Sequence, residues 1–252
     1  MKIFVSDYDG TLNRGGGVTE RDLAALDAWQ KAGNLFGIAS GRDLRGLVNV
    51  WQKCLPLKPD FLIGGNGTQL YKGLEERVLR FPANGKDVPA IVELILKRGG
   101  RICHITAEEG KYILAMDGKI PENTIDTYFT LDNIPTPKEV YSLNTYFDTD
   151  KLAQAFCAEC CTCFPSFTAY PNTDCGDIVP KGTGKAEGIA AYLRHMKLDP
   201  EMVITAGDSG NDLGMLRTYT GCTLPNADEA LKSALGEENI YPDIAAMIER
   251  YL

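Results

Sequence analysis

The chain begins with one short apolar run at residues 3–5, which leads almost directly into the pentapeptide DYDGT at residues 7–11. Side chains alternate along a strand, so Asp7 and Asp9 are predicted to point to the same side of the backbone. Gly10 lets the chain turn sharply at that point without a Cβ penalty. Two neighbouring carboxylates repel each other unless a cation or a shared proton compensates. The pattern therefore predicts a strand-end site that holds a metal, a protonated carboxyl group, or both.

A second acidic cluster, GDSGND at residues 207–212, directly follows another apolar run at residues 202–206. It contains Asp208, Asn211 and Asp212. If both apolar runs are strands of one parallel sheet, their carboxyl ends meet at the edge where such sheets bind ligands. Carboxylate oxygens are suitable ligands for a hard cation, so the two clusters together predict a Mg²⁺-type site.

Length and charge exclude several classes of protein. The 252 residues are enough for a full core, and the formal net charge of −8 argues against nucleic acid as a partner. No apolar run approaches the ~20 residues needed to span a bilayer, and Asp7 and Asp9 interrupt the N-terminal apolar stretch too early for a signal peptide. We therefore expect a cytoplasmic protein without a membrane partner.

Eight cysteines without an export signal predict reduced thiols. Four of them crowd into residues 157–163, where Cys157, Cys160 and Cys163 give two overlapping C-x-x-C spacings. One hypothesis is a soft-metal or redox site. However, no second ligand pair follows at zinc-finger spacing, and His104 and His195 are distant in the sequence. The other interpretation is a helix end in which small apolar thiols fill space.

The first third of the chain alternates strands and helices. Such a β-α-β-α-β order predicts a doubly wound parallel sheet, whose ligands bind at the carboxyl ends of the strands. The predicted elements are strand Lys2–Ser6, a helix from about Thr19 to Ala32, strand Leu35–Ala39, a helix that ends near Trp51, and strand Phe61–Ile63.

The middle of the chain has a different pattern. Short alternating strands punctuated by prolines predict an α+β domain with a mostly antiparallel sheet. The helix-strand alternation resumes afterwards, so we interpret the middle as an insertion. The predicted division is a catalytic core of residues 1–82 and 177–252 and an inserted α+β domain of residues 83–176.

Four motifs now fall at predicted strand ends or helix starts of one sheet: DYDGT, the tripeptide SGR at residues 40–42, Lys185 after Gly184, and GDSGND. In this order they resemble the haloacid-dehalogenase superfamily, and specifically its Cof-like sugar-phosphate phosphatases with a large α/β cap. The resemblance implies a Rossmann-like core with an inserted cap domain that selects the substrate. Lys181 competes for the lysine motif, and Lys185 is preferred because the lysine of the family also opens a helix.

The chemistry of these residues fits phosphoryl transfer. An ionised Asp7 is the candidate nucleophile that forms an acyl-phosphate, and Asp9 is the candidate general acid and base. Mg²⁺ would be held by Asp7, by the backbone carbonyl of Asp9 and by Asp208. Asp212 would bind the ion through a water molecule or contact the ligands instead of the ion. Lys185 would neutralise the charge shared by the nucleophile and the phosphoryl group.

The remaining motif residues are predicted to hold the phosphate. Ser40 and the amide of Gly41 stand at a helix start, which is a natural anion site. Asn211 is a neutral donor to phosphate. Arg42 is a candidate substrate contact, and its alternative is a solvated helix residue.

We therefore expect a Mg²⁺-dependent phosphatase that hydrolyses a small phosphorylated metabolite, most simply a sugar phosphate, through an aspartyl-phosphate. Two alternatives stay open at this point. A phosphosugar mutase of the phosphomannomutase type has a similar architecture, and a phosphosugar-binding sensor would keep the site without turnover. No pattern in the sequence predicts the substrate or the oligomeric state.

Overall fold

The computed structural model describes residues 1–43, 45–49, 57–74, 76–115 and 124–252. The chain divides into two compact units. The first unit consists of Met1–Arg80 and Gly184–Leu252, and the second consists of Phe81–Thr183. Residues 45–49 are helical, whereas the predicted helix end near Trp51 lies outside the described residues.

The strands and the longer helices are numbered separately in chain order. The strands are β1 (Lys2–Ser6), β2 (Leu35–Ala39), β3 (Phe61–Gly64), β4 (Gln69–Lys72), β5 (Glu76–Arg80), β6 (Ala83–Asn84), β7 (Ile102–Ala107), β8 (Gly110–Leu114), β9 (Thr127–Phe129), β10 (Glu139–Tyr146), β11 (Phe167–Asn172), β12 (Cys175–Pro180), β13 (Met202–Ala206) and β14 (Thr220–Cys222). The helices are α1 (Glu20–Lys31), α2 (Val88–Lys97), α3 (Asp150–Cys163), α4 (Lys185–His195), α5 (Leu213–Thr218), α6 (Glu229–Leu235) and α7 (Ile244–Tyr251).

The first unit is built on a seven-stranded sheet in the order β14-β13-β1-β2-β3-β4-β5. The five strands from β14 to β3 are parallel, and β3, β4 and β5 form antiparallel pairs. This confirms the predicted mixed α/β fold with a parallel core sheet. Strand β1 lies between β13 and β2, so three motif-bearing strands end side by side.

Helix α1 shows how local sequence determines this unit. Thr19 caps the helix by accepting a hydrogen bond from the amide of Asp22, as its position before the first turn predicts. Leu26 and Trp29 are fully buried at helical spacing, and the indole of Trp29 donates to the carbonyl of Leu35 over 2.8 Å. The chain leaves the helix through Gly33, whose φ of +83° a side chain would disfavour.

The second unit contains a sheet in the order β11-β12-β10-β7-β8-β9, with β6 paired to β10. All its pairings are antiparallel except that of β8 with β9. Helices α2 and α3 contribute buried side chains such as Val92 and Phe156 to its core, together with Leu143 of β10 and Ile178 of β12. The unit has its own hydrophobic core.

The second of the two boundaries between the units lies later in the chain than the sequence predicts. The prediction returned to the core at residue 177, but β12 runs through this position and pairs with both β10 and β11. The second unit therefore extends to Thr183. Residues 175–180 are all buried, so they show none of the alternation that identifies a half-buried strand from sequence.

The cysteine cluster lies on the last two turns of α3. Cys157 and Cys160 are buried in the core of the second unit, whereas Cys161 and Cys163 are exposed. Burial raises the pKa of Cys157 and of Cys160 to about 12, so both stay protonated thiols at neutral pH. Among the described residues, these cysteines do not form a group with metal-ligand spacing. Within the same part of the chain, no helix is long and apolar enough to cross a bilayer.

Candidate active site

The site is formed where three neighbouring parallel strands end. Asp7 follows β1, Asp208 lies just beyond β13, and Ser40 follows β2. The turn after Asp7 brings the first motif close to the second, because Gly10 has a φ of +85° and a Cβ placed there would lie 2.3 Å from Oδ2 of Asp208. Only glycine allows this approach.

A buried lysine joins the two acidic motifs. Lys185 is the first residue of α4 and is 2% exposed. Its Nζ donates to Oδ1 of Asp7 over 2.7 Å and to Oδ1 of Asp212 over 2.5 Å. The competing Lys181 is exposed and belongs to the second unit. The lysine at the helix start is therefore the one placed against the candidate nucleophile.

Three carboxylates could hold a metal ion. Asp7, Asp208 and Asp212 each present an oxygen, and these oxygens lie within 4.8 Å of one another. Oδ2 of Asp212 accepts hydrogen bonds from the amides of Asp208 and Ser209, each over 3.1 Å. Because both oxygens of Asp212 already have donors, this residue holds the second motif in shape. Asp7 and Asp208 are better placed to offer oxygens to an ion.

The charges of this cluster do not balance. Burial raises the pKa of Asp7 well above its usual range, against the opposing effect of Lys185. Burial likewise raises the pKa of Asp208 to about 6, and a hydrogen bond from the hydroxyl of Thr11 partly opposes the shift. Burial alone would lower the pKa of Lys185, but the charges of Asp212 and Asp7 raise it above its usual value, so the ammonium persists. One ammonium therefore stands among three carboxyl groups, two of which burial hinders from ionising, and a divalent cation would stabilise their charged forms.

The Asp9 side chain has a different neighbour. Its two oxygens accept from Nε and Nη2 of Arg42, over 2.6 Å and 2.8 Å. Asp9 is absent from the described carboxylate group that has metal-ligand spacing. The structure thus places Arg42 against the candidate general acid, a contact that the sequence does not predict.

The loops after β2 and β3 are tied together beside these carboxylates. Ser40 is buried, its Oγ accepts from the amide of Arg42 over 3.1 Å, and its carbonyl accepts from the amide of Asn66 over 2.9 Å. The amide nitrogen of the Asn211 side chain lies 3.3 Å from Oδ1 of Asn66. Asn66 has a φ of +51°, which asparagine tolerates better than most residues.

Two residues near the site received no main role in the sequence analysis. Thr11 is fully buried and donates to Asp208, although its position in DYDGT is the only sequence signal for it. Asn66 contacts Asn211 from the turn after β3, where a Gly-Asn-Gly sequence predicts only a turn. Each of these two contacts joins loops that are far apart in the sequence.

A cavity of about 500 Å³ lies beside Asp9 and is large enough for a small metabolite. It belongs to the first unit. The residues around it are Asp9, Gly10, Asn13, Arg14, Gly15 and Asn226.

Comparison with known proteins identifies a family match over most of the chain. The model of the haloacid dehalogenase-like hydrolase family matches residues 4–237. A protein of Streptococcus pyogenes serotype M6 named as a bifunctional phosphatase/peptidyl-prolyl cis-trans isomerase is 28% identical over 233 residues, which cover 89% of this chain and 47% of that protein. The chain thus spans about half the length of this relative.

Two further relatives match over nearly the whole chain. The HMP-PP phosphatase of Yersinia pseudotuberculosis serotype O:1b is 27% identical over an alignment of 267 positions, which covers 95% of this chain and 89% of that protein. The solved structure of a sugar phosphatase of HAD subclass IIB superposes with a TM-score of 0.75 at 23% identity, covering 99% of this chain and 97% of that one. At 23% identity, this structural likeness shows a shared fold and carries no conclusion about function.

Proposed function

The chain belongs to the haloacid dehalogenase-like hydrolases, and from this we propose that it is a Mg²⁺-dependent phosphatase of small phosphate monoesters, with sugar phosphates as the substrate class. One observation carries the proposal. Lys185 is buried between Asp7 and Asp212, beside Asp208, at the carboxyl ends of parallel strands. A buried cation with three carboxyl groups is costly for stability alone and fits a site for an anionic substrate and a metal.

Asp7 is the proposed nucleophile. A carboxylate oxygen of Asp7 attacks phosphorus, the bond from phosphorus to the leaving oxygen breaks, and an aspartyl-phosphate forms. Asp9 gives a proton to the leaving oxygen. In the second step Asp9 takes a proton from water, whose oxygen attacks phosphorus and releases Asp7 as a carboxylate.

Lys185 holds the nucleophile in place and offsets charge. Its ammonium contacts Oδ1 of Asp7 over 2.7 Å, so the attacking carboxylate has a defined orientation. The same cation lowers the repulsion between Asp7 and an incoming phosphate. Ser40, the Gly41 amide and Asn211 are proposed to bind the phosphate oxygens from the neighbouring loops, with Arg42 as a further contact.

The residues present fit Mg²⁺. Asp7 and Asp208 would offer carboxylate oxygens and Asp9 its backbone carbonyl, while Asp212 keeps the second motif in shape. When bound, the ion offsets the negative charge of the phosphate and of the attacking carboxylate. Few protein ligands are needed because Mg²⁺ retains waters and binds substrate phosphate.

The proposed substrate class rests on the relatives. Those that match most of the chain include phosphatases whose names specify a phosphorylated metabolite or a sugar phosphate. The second unit, predicted from sequence as residues 83–176, is proposed to be the domain that selects the substrate.

Turnover of p-nitrophenyl phosphate with and without Mg²⁺ tests the proposal. We expect Mg²⁺-dependent turnover in the native chain and its loss in Asp7→Asn, because an amide is not a nucleophile. Asp27→Asn is the matched control, since Asp27 is a half-exposed residue of α1 that pairs with Lys31 and lies outside the proposed site. Retention of more than a few per cent of activity in Asp7→Asn would overturn the assignment.

Substrate and product analysis separates the alternatives. Turnover of any phosphate ester eliminates a sensor that only binds. With glucose 6-phosphate or mannose 1-phosphate, release of inorganic phosphate identifies a hydrolase. Formation of the isomeric sugar phosphate in the presence of a bisphosphate activator would identify a mutase.

A further inference from the structure

Tyr8 occupies the middle of the first motif and has no part in the proposed mechanism. It is 2% exposed, and its side chain belongs to the hydrophobic core of the first unit. The side chain therefore packs with the core, although Tyr8 itself lies in the turn that follows β1. Its ring nevertheless also has a polar neighbour. Cζ of Arg42 lies 5.8 Å from the ring centroid, within the distance of a cation–π contact.

Arg42 in turn holds Asp9 through two parallel hydrogen bonds from Nε and Nη2 to the two carboxylate oxygens, over 2.6 Å and 2.8 Å. This fork geometry defines the plane of the carboxylate as well as its position. However, the two side chains are 43% and 48% exposed. Exposed ion pairs order long side chains weakly because solvent screens the attraction. A second contact is needed to hold the guanidinium in one place.

We propose that Tyr8 is a positioning residue for the candidate general acid. Its ring is fixed by the core, the guanidinium of Arg42 lies on that ring, and Arg42 orients the carboxylate of Asp9. The backbone supports the same arrangement, because the amide of Asn13 donates to the carbonyl of Tyr8 over 2.7 Å. The inference rests on the proposed function, since it assigns Tyr8 an effect on proton transfer to the leaving group.

The competing explanation is that Tyr8 only fills the core. The two explanations differ in which substrates a substitution affects. Loss of core packing lowers the amount of folded enzyme and reduces all rates alike. Loss of Asp9 orientation lowers the rate for alkyl phosphates, whose leaving oxygen needs a proton, and has less effect on p-nitrophenyl phosphate, whose leaving group needs little protonation.

The test compares kcat for a hexose phosphate and for p-nitrophenyl phosphate in Tyr8→Leu and Tyr8→Phe. In Tyr8→Leu we expect the ratio of the two rates to fall about two- to fivefold, the range that corresponds to an exposed cation–π contact. KM should change little. Tyr8→Phe keeps the ring and is expected to restore the ratio.

Phe4→Leu is the matched control, because Phe4 is a buried aromatic residue of β1, just before the motif, and belongs to the same core cluster as Tyr8. It should lower stability without changing the ratio. If Tyr8→Leu does not fold, Tyr8→Met fills the core without an aromatic face and decides the question. In an Arg42→Lys background, Tyr8→Leu should not change the ratio of the two rates any further.

The inference is overturned if Tyr8→Leu and Tyr8→Met lower both rates equally, or if Tyr8→Phe has the same defect as Tyr8→Leu. These results differ from a failure of the proposed function. In that case the native chain itself would not hydrolyse either ester with Mg²⁺.

Discussion

At the scale of single residues, the site is defined by the contacts of one ammonium group. Lys185 contacts Asp7 and Asp212 in a buried position, and Asp208 lies within metal-ligand distance of both carboxylates. Removing one member would leave the others with an uncompensated buried charge, which is strongly destabilising. Asparagine substitutions are therefore better probes than alanine, because they preserve shape and hydrogen bonding.

Asp9→Asn should separate proton transfer from the other roles of the first motif. The substitution keeps the backbone carbonyl and removes the acid, so we expect the rate on alkyl phosphates to fall ~10²–10⁴-fold. The loss on p-nitrophenyl phosphate should be smaller. Steady-state kinetics on both substrates, with Asp27→Asn as control, make the comparison. An equal loss on both would argue against the acid role.

The pKa of Asp208 predicts how metal and pH act together on stability. Burial raises this pKa to about 6, above the value of ~3.9 expected for an unfolded aspartate. Because the folded state binds the proton more tightly, the metal-free protein loses stability as pH rises through the window between these values. A cation that binds the carboxylate reverses this loss.

We therefore expect saturating Mg²⁺ to raise the melting temperature more at about pH 7.5 than at about pH 5. Thermal unfolding with Mg²⁺ and with a chelator measures the two shifts. Asp208→Asn should reduce this pH dependence, and the remainder would come from Asp7, whose pKa burial also raises. A larger shift at the lower pH would contradict the assignment of Asp208 to the metal.

At the scale of elements, the site depends on how closely helix α4 approaches the turn after β3. A Cβ placed on Gly67 would lie 2.0 Å from the carbonyl oxygen of Gly184, the residue before Lys185. Gly67 also has a φ of +94°, which side chains rarely adopt. The glycine thus sets the distance between this turn and the helix start that carries the lysine.

Gly67→Ala should destabilise the protein more than Gly73→Ala. Both positions have positive φ, but a Cβ on Gly73 would meet no atom within 4 Å. The loss of stability in Gly73→Ala therefore measures backbone strain alone, of order 1–3 kcal/mol. The additional loss in Gly67→Ala measures the cost of displacing α4. Urea unfolding measures the difference, and Gly67→Ala should also lose activity. Equal destabilisation by the two changes would show that the close approach is unimportant.

At the scale of the whole molecule, every proposed site residue lies in the first unit. This unit is formed by the two chain segments that precede and follow the second unit. Replacing residues 81–183 by a Gly/Ser linker should therefore leave a folded first unit. We expect slow hydrolysis of p-nitrophenyl phosphate to persist and activity on sugar phosphates to fall much further. Circular dichroism should establish folding first. A shortened protein that discriminates among metabolites as the native chain does would show that specificity resides in the first unit.

The sequence alone determined the features that depend on local patterns. The predicted strand Leu35–Ala39 matches β2, and the helix predicted from about Thr19 to Ala32 matches α1, because short apolar runs and helical spacing are visible within one segment. The motif DYDGT likewise made Asp7 a candidate site residue, since two carboxylates and a glycine after an apolar run have few purely structural explanations.

Only the tertiary structure decided which side chains meet. The pairing of Arg42 with Asp9, the contact of Asn66 with Asn211 and the assignment of β12 to the second unit all join residues far apart in the chain. Nothing in the local sequence around either partner encodes such a contact, because its geometry depends on how the intervening elements pack. The sequence predicted the candidate reactive groups, whereas the packing of strands and helices determined their neighbours and hence their charge states.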